Sequence, residues 1–455
     1  MQKLLATAAR RSISYLEGLE GRGVAPTPEA VQALSAFNED LPAVPTQPED
    51  TIRLLDEAGS PATMAMAGPR FFGFVIGGSL PVTLAANWLA GAWDQNAAYY
   101  NSTPSAAYVE QIALGWLVDL LGLPEGCGGG FVTGATVANF TSLAAARRAV
   151  LSRAGWNVEA EGLFGAPPVS VIVGQEVHVS VIKALGMLGF GRNRLTRVPV
   201  DNQGRMRAEA LPDISGPTIV CLQAGNVNTG AFDPFSEIIG RAHDAGAWVH
   251  VDGAFGLWAR TASTRRYLTA GMLEADSWAT DSHKWLNVPY DSGLTFVRNP
   301  EDLRAAMAIT AEYLPTESPN RNPSDFTPEL SRRARGVEVW AALRTLGRQG
   351  VADLVERNCR YARRFAEGLH KAGYQVLNDV VLNQVLVSFG EAEVTQKVIS
   401  AIQADGTCWC GGTLWQGHTA MRISVSSWAT RDEDVERSLE AMLRVAKSVK
   451  EKSMA

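Results

Sequence analysis

Short apolar runs and longer amphipathic stretches alternate through the middle of this chain, and their order predicts a layered α/β protein. "VSVIVGQ" (169–175), "TIVCLQAG" (218–225), "WVHVDGA" (248–254) and "SGLTFVR" (292–298) are brief and rich in Val and Ile. Unbroken apolar runs of that length suit strands covered on both faces, as in a mostly parallel sheet. "ADSWATD" (275–281) is a further strand candidate, and "DPFSEIIGRAHDAGA" (233–247) has the helical period expected between two parallel strands. Before residue 60 the chain reads as polar helices punctuated by prolines. After about 320 a Pro- and Asn-rich loop, "LPTESPNRNPSDFTP", leads to a long helix from Leu330 and an α+β tail. Three segments are therefore expected: a helical 1–60, a large α/β domain over 61–315 and a smaller C-terminal α+β domain over 316–455.

Composition narrows the function classes. With 19% charged residues, a formal net charge of −6 and no basic run, nothing points to nucleic acid. Five scattered cysteines form no disulfide framework, and the single Cys408-x-Cys410 pair is weak as a zinc motif, so no metal is expected. The amino terminus reads as an amphipathic helix containing arginines rather than a secretory signal, which makes a cytoplasmic protein the expectation. The uncharged stretch between Arg70 and Asp94 is long enough to span a bilayer. Its Pro81, Asn87 and glycines favour a loop followed by a core helix, so no membrane is expected.

Open α/β sheets bind ligands at the carboxyl ends of their strands, and four stretches put polar groups there. "GGGFVTGATVANFTSLAAARRA" runs from a strand into Gly134-Ala135-Thr136 and a helix, whose first N–H groups suit a phosphate. His178 follows the 169–175 run. Asp252 ends an apolar strand, where a carboxylate is costly unless it meets a cation. Ser282-His283-Lys284 follows "ADSWATD", and a buried lysine must be paired or neutralised. A phosphate cradle, an imidazole, a carboxylate and a lysine on neighbouring strand ends are the parts that hold pyridoxal phosphate (PLP). Lys284 would bond the aldehyde, Asp252 would pair with the pyridine nitrogen and His178 would stack on the ring. No G-x-G-x-x-G follows the first strand, which argues against a nicotinamide enzyme.

With "PRFFGFV", "TPSAAYVEQIALGWLVDLLGLP", "HVDGAFG", "SHKWLNVPYDSG" and "MRISVSSWATRDEDV", the sequence resembles the PLP-dependent group II amino-acid decarboxylases from about residue 60 to 440. The resemblance implies PLP-dependent transferase fold type I, the aspartate-aminotransferase-like α/β fold, and a homodimer with interface active sites. It implies Lys284 as the Schiff-base lysine and a catalytic residue with His178, and Asp252 as the pyridinium partner. Ala254 would pack on the ring, Ala135, Thr136 and His283 would contact the phosphate, and Asn228 is placed with the cofactor contacts. Substrate contacts are expected from Phe74 and Val75, from Asn96 and Tyr99, and from Trp415, His418 and Arg422. Arg422 would grip a substrate carboxylate or form an ion pair with Asp432 or Asp434.

The expected reaction is decarboxylation of an L-amino acid, aromatic or bulky and apolar, to an amine and CO2. Aldehyde-forming oxidation, transamination, retro-aldol cleavage or non-enzymatic PLP binding are the alternatives. Three departures bear on the choice. Val137 stands where the family's phosphate turn often has an acid, and Asp281 replaces a common asparagine beside the phosphate. The loop "NRNPSDFTPELSRRARG" lacks the tyrosine that returns a proton in animal members, and Phe326 is its only aromatic residue.

Overall fold

A computed structural model describes residues 1–309 and 320–454. The boundary expected at 315/316 and the first residues of the 316–335 loop lie outside the described residues. The chain forms two compact units. One comprises Ser79–Arg360 with Asn378–Gln384, and the other Met1–Gly78 with Tyr361–Leu377 and Val385–Ala455. The N-terminal helices thus join the same unit as the C-terminal residues.

The first unit is built on seven strands: β1 (Gly128–Val132), β2 (Ser170–Gly174), β3 (Thr196–Val198), β4 (Thr218–Gln223), β5 (Trp248–Asp252), β6 (Ser277–Asp281) and β7 (Gly293–Val297). Their order is β1-β7-β6-β5-β4-β2-β3, and every pair is parallel except the two made by β7. Because β7 runs against both neighbours, β1, β2, β4, β5 and β6 all end on one edge. The four expected strands and "ADSWATD" fall on β2, β4, β5, β7 and β6, each within two residues of the predicted ends. Val171, Val173, Ile219, Cys221 and Trp248 join Ala-rich residues of the helix Ala135–Arg153 in one dry core. Each fully buried Val or Ile there is worth ~1.5–3 kcal/mol.

Two expected helices are shifted. The uncharged 71–93 stretch is a loop and then the helix Pro81–Trp93, and no described helix is long and apolar enough to cross a membrane. The long helix starts at Gly336 rather than Leu330 and breaks at Gly347, whose φ is 59°. Residues 330–335 are drawn out of helix because Arg332 is spent on tertiary partners: it donates to Ala97 O at 2.9 Å, to Phe131 O at 2.7 Å and to Glu110 Oε2 at 2.8 Å.

The second unit carries β8 (Gln375–Val376), β9 (Gln384–Ser388), β10 (Gly411–Trp415) and β11 (His418–Ser424), ordered β10-β11-β9-β8. Buried Arg70 ties its distant parts together. It donates to Glu20 O and Thr407 O and pairs with Asp434 at 3.0 Å.

Candidate active site

The shared carboxyl edge of the first unit's sheet gathers the polar strand ends. β1 turns through Gly134 into the helix Ala135–Arg153, which has no side-chain cap of its own. Its first amide, Ala135 N–H, donates to Asp281 Oδ1 at 2.6 Å, so a carboxylate from the end of β6 caps the positive end of the helix. The other oxygen of Asp281 lies 2.9 Å from Lys284 Nζ. Lys284 is thus paired, one of the two ways a buried lysine can be accommodated.

His283 sits beside the same helix start. Its ring stacks on Tyr290 with centroids 4.2 Å apart, its Nδ1 accepts from Ser292 N–H at 3.1 Å, and its Nε2 lies 3.5 Å from Asp281. Burial pushes the His283 pKa down against the opposing pull of Asp281, and burial with that same carboxylate pushes Tyr290 up to about 12. Glycines allow the crowding. A Cβ on Gly134 would stand 3.1 Å from His283 Cε1, and one on Gly293 would stand 2.4 Å from the Gly134 Cα. Gly293 is in register with both Val132 and Asp281, so the close approach joins three strand ends.

Asp252 closes β5 and is 4% exposed, a burial that only a full set of donors makes tolerable. Ala254 N–H donates to its Oδ1 at 3.1 Å and Asn139 Nδ2 to its Oδ2 at 3.2 Å, with Ser180 Oγ at 3.5 Å. Ala254 in turn accepts from Asp281 N–H, which links the ends of β5 and β6. His178 caps the helix Val179–Met187: its Nδ1 accepts from Ser180 N–H at 3.2 Å and lies 2.7 Å from Ser180 Oγ. Ala135, Asp252, Ala254, Asp281, His283 and Lys284 are therefore joined by short contacts, and His178 is linked to Asp252 through Ser180. Thr136 is the second residue of the helix. Asn228 lies in the turn after β4, its N–H on Asn226 Oδ1.

The expected substrate residues are distributed otherwise. In the first unit, Asn96 Oδ1 accepts from Arg332 N–H at 3.0 Å and its amide nitrogen lies 3.4 Å from Ser331 Oγ, a structural tie. The Tyr99 carbonyl caps Thr103. In the second unit, Phe74 is 58% exposed, has φ 60° and stacks on Trp409 at 5.7 Å, while the adjacent Val75 is buried. Trp415 packs into the core with Leu386 and Ala420, and His418 faces it across the hairpin. Burial lowers the Arg422 pKa to about 10. Neither acid proposed for Arg422 is uncommitted, since Asp434 holds Arg70 and Asp432 holds Arg364 and Tyr361.

Sequence reading missed Asn139, Ser180, His250 and Ser277. Two signals were available. His250 and Asp252 alternate on one face of an otherwise apolar strand, and Asn139 follows Ala135 by one helical turn. Phe326 is the only aromatic residue of the loop that lacks the family tyrosine. It packs on the dry core of the sheet and lies under the Arg321 guanidinium, 4.3 Å from the ring centroid.

A lysine, a buried carboxylate, an imidazole and a helix start on one edge of a parallel sheet define a site of the PLP-binding α/β class. The profile of the pyridoxal-dependent decarboxylase conserved domain matches residues 33–390, and the chain belongs to that family. It is 25% identical to the aromatic-L-amino-acid decarboxylase of Bacillus atrophaeus over 100% of this chain and 96% of that protein. It is 27% identical to the L-2,4-diaminobutyrate decarboxylase of Rhizobium meliloti, over 92% and 86%. A crystal structure of Oryza sativa TDC with PLP and tryptamine superposes with a TM-score of 0.90 at 22% identity, covering 98% of this chain and 97% of that one. Mouse CSAD gives 0.89 at 21% identity over 98% of each. These likenesses establish the fold.

The protein is a PLP-dependent carboxy-lyase. Its residues fit the cofactor. The helix start offers amides to a phosphate, Asp252 presents a carboxylate, and the buried hydroxyls of Ser282 and Ser292, flanking His283, have no hydrogen-bond partner among the described residues.

Proposed function

We propose that the protein decarboxylates an aromatic or other bulky, apolar L-amino acid, working as a homodimer. The observation that carries the reaction is the joined cluster of Lys284, Asp281, Ala135, Ala254 and Asp252, with His178 bound to it through Ser180. PLP, when bound, supplies the electron sink for the carbon that loses CO2. Asp252, held by Ala254 N–H and Asn139, would pair with the ring nitrogen and keep it protonated. The first amides of the helix Ala135–Arg153, with Thr136 and His283, bind the phosphate. His178 covers the ring face. Decarboxylation replaces a carboxylate on Cα by a proton, and Lys284 or His178 would deliver that proton.

Two things support the substrate class. Relatives over most of the chain are named for aromatic amino acids, among them the Bacillus atrophaeus enzyme and tryptophan decarboxylase 1 of Oryza sativa, 24% identical over 94% of this chain. The expected substrate segment presents the exposed, Trp409-stacked Phe74 and no cluster of basic side chains. The aldehyde-forming alternative is not favoured, because the relatives over most of the chain are named as decarboxylases.

A product screen of PLP-loaded protein tests the reading, with aromatic, acidic and diamino substrates and a Lys284→Ala control. Aromatic amine and CO2, lost in the control, are expected. Turnover confined to acidic or diamino substrates would overturn the substrate class, and an aldehyde or keto acid product would overturn the reaction.

A further inference from the structure

Trp248, His250 and Asp252 occupy alternate positions of β5 and so share one face, and Ser277 of β6 is in register with His250. These residues form a hydrogen-bond chain whose direction is set at its Asp252 end. An indole N–H can only donate. Trp248 Nε1 donates to Ser277 Oγ at 2.9 Å, and that hydroxyl, with a second lone pair and its own hydrogen, can take either role toward His250 Nδ1, also at 2.9 Å. A carboxylate can only accept, so Asn139 turns Nδ2 to Asp252 and Oδ1 to His250 Nε2 at 2.9 Å; Nε2 therefore carries the ring hydrogen, and Nδ1 accepts from Ser277.

The donor end of the Asn139 amide serves two acceptors. Its Nδ2 faces Asp252 Oδ2 and Ser180 Oγ, each at 3.2 Å. Ser180 receives a hydrogen there and passes its own to His178 Nδ1 at 2.7 Å, in preference to Asp252 at 3.5 Å. The same Nδ1 accepts from Ser180 N–H, so it carries no hydrogen.

We propose that this one-directional chain, starting at Trp248, holds Asp252 as an acceptor-only carboxylate and His178 in its Nε2–H form, with His250 and Asn139 as positioning residues. The proposal rests on the reading of Asp252 and His178 as the residues that meet the cofactor ring, and names what fixes them. A second proton on His250 would reverse its bond to Ser277; burial, which lowers the His250 pKa to about 3, prevents that. Among the described residues, the titratable groups facing Asp252 are Cys221 on β4, whose pKa is raised by burial and by Asp252, Glu176 and Asp233 lining the same small cleft, and His178 through Ser180. None of them supplies the donor that Asn139 supplies.

Two measurements on the full-length protein test the chain. Histidine nitrogen resonances of isotope-labelled, cofactor-free protein report the tautomers. With six histidines, His178→Gln and His250→Gln assign the two signals. Both rings are expected with hydrogen on Nε2 at neutral pH, and an Nδ1–H form of either overturns the proposal.

The second measurement is PLP affinity against pH for Asn139→Asp. This change keeps the acceptor for His250 but sets a like charge against Asp252 in place of a donor. Binding weakens at least tenfold at neutral pH, roughly the worth of one charge-assisted hydrogen bond, and recovers on acidification as one carboxylate takes a proton. Unchanged affinity with an unchanged pH profile overturns the proposal. Should that variant not fold, the wild-type tautomers decide. Wild-type protein that bound no PLP would refute the functional reading, while the tautomers would still decide the chain.

Discussion

Glu110 is the buried anion on which the segment 320–335 depends. It lies in the helix Pro104–Leu121, is fully buried, and accepts from Arg332 at 2.8 Å and from Arg321 at 3.2 Å. Removing one partner of a buried ion pair costs about 3–5 kcal/mol, because the remaining charge stays out of water. Here two guanidinium groups would remain, although each keeps other acceptors: Arg332 has Ala97 O and Phe131 O, and Arg321 has Gly129 O and the face of Phe326. Glu110→Ala should therefore destabilise the protein by about 4 kcal/mol. Glu110→Gln, which keeps one acceptor, should cost about 2 kcal/mol.

Urea unfolding at a fixed protein concentration gives both values, and limited proteolysis should cut within 320–335 first in either variant. Because desolvation opposes the ion pairs, replacing Glu110, Arg321 and Arg332 together by Leu and Met should recover most of the loss. A Glu110→Ala variant within 1 kcal/mol of wild type, or cut no faster in 320–335, would refute the reasoning.

Three further outcomes follow from the site. Gly293→Ala puts a Cβ 2.4 Å from the Gly134 backbone, so it should displace the start of the helix Ala135–Arg153, proposed to hold the phosphate, and abolish PLP retention, read by absorbance after dialysis. His250 titrates with a pKa of about 3 when folded and about 6.5 when unfolded. Between those values only the unfolded chain takes the proton, so stability falls as pH falls, by about 2 kcal/mol from pH 7 to pH 5. Urea midpoints should show that loss in wild type and less of it in His250→Gln. Asp281→Asn keeps an acceptor for Ala135 N–H but removes a negative charge from the helix start and from Lys284. PLP should bind roughly tenfold more tightly, by fluorescence titration.

The sheet and the residues at its edge were legible because both are local signals. Apolar runs marked β2, β4, β5 and β7, and a polar residue directly after a buried run marked Asp252 and Lys284. What stayed hidden depends on partners far apart in sequence. Asn139 and His250 look like ordinary helix and strand residues until folding brings residues 111 positions apart to 2.9 Å. Arg332 read as part of a helix because its pull toward Glu110, 222 positions away, leaves no periodic trace. Arg70 and Asp434, 364 positions apart, likewise show why the N-terminal segment could not be assigned to the C-terminal unit from local patterns. Trp415 read as a substrate contact because an aromatic beside a histidine carries no mark of which face it takes, and packing turned it into the core.

Lys284, beside Asp281 and the start of the helix Ala135–Arg153, is the residue proposed to bond PLP. Borohydride reduction of PLP-loaded protein, followed by peptide mass spectrometry, locates the pyridoxyl group directly. The account predicts that the label lies on Lys284 and is lost in Lys284→Ala. A label on Lys183 or Lys371 instead, or one that persists unchanged in Lys284→Ala, would contradict it.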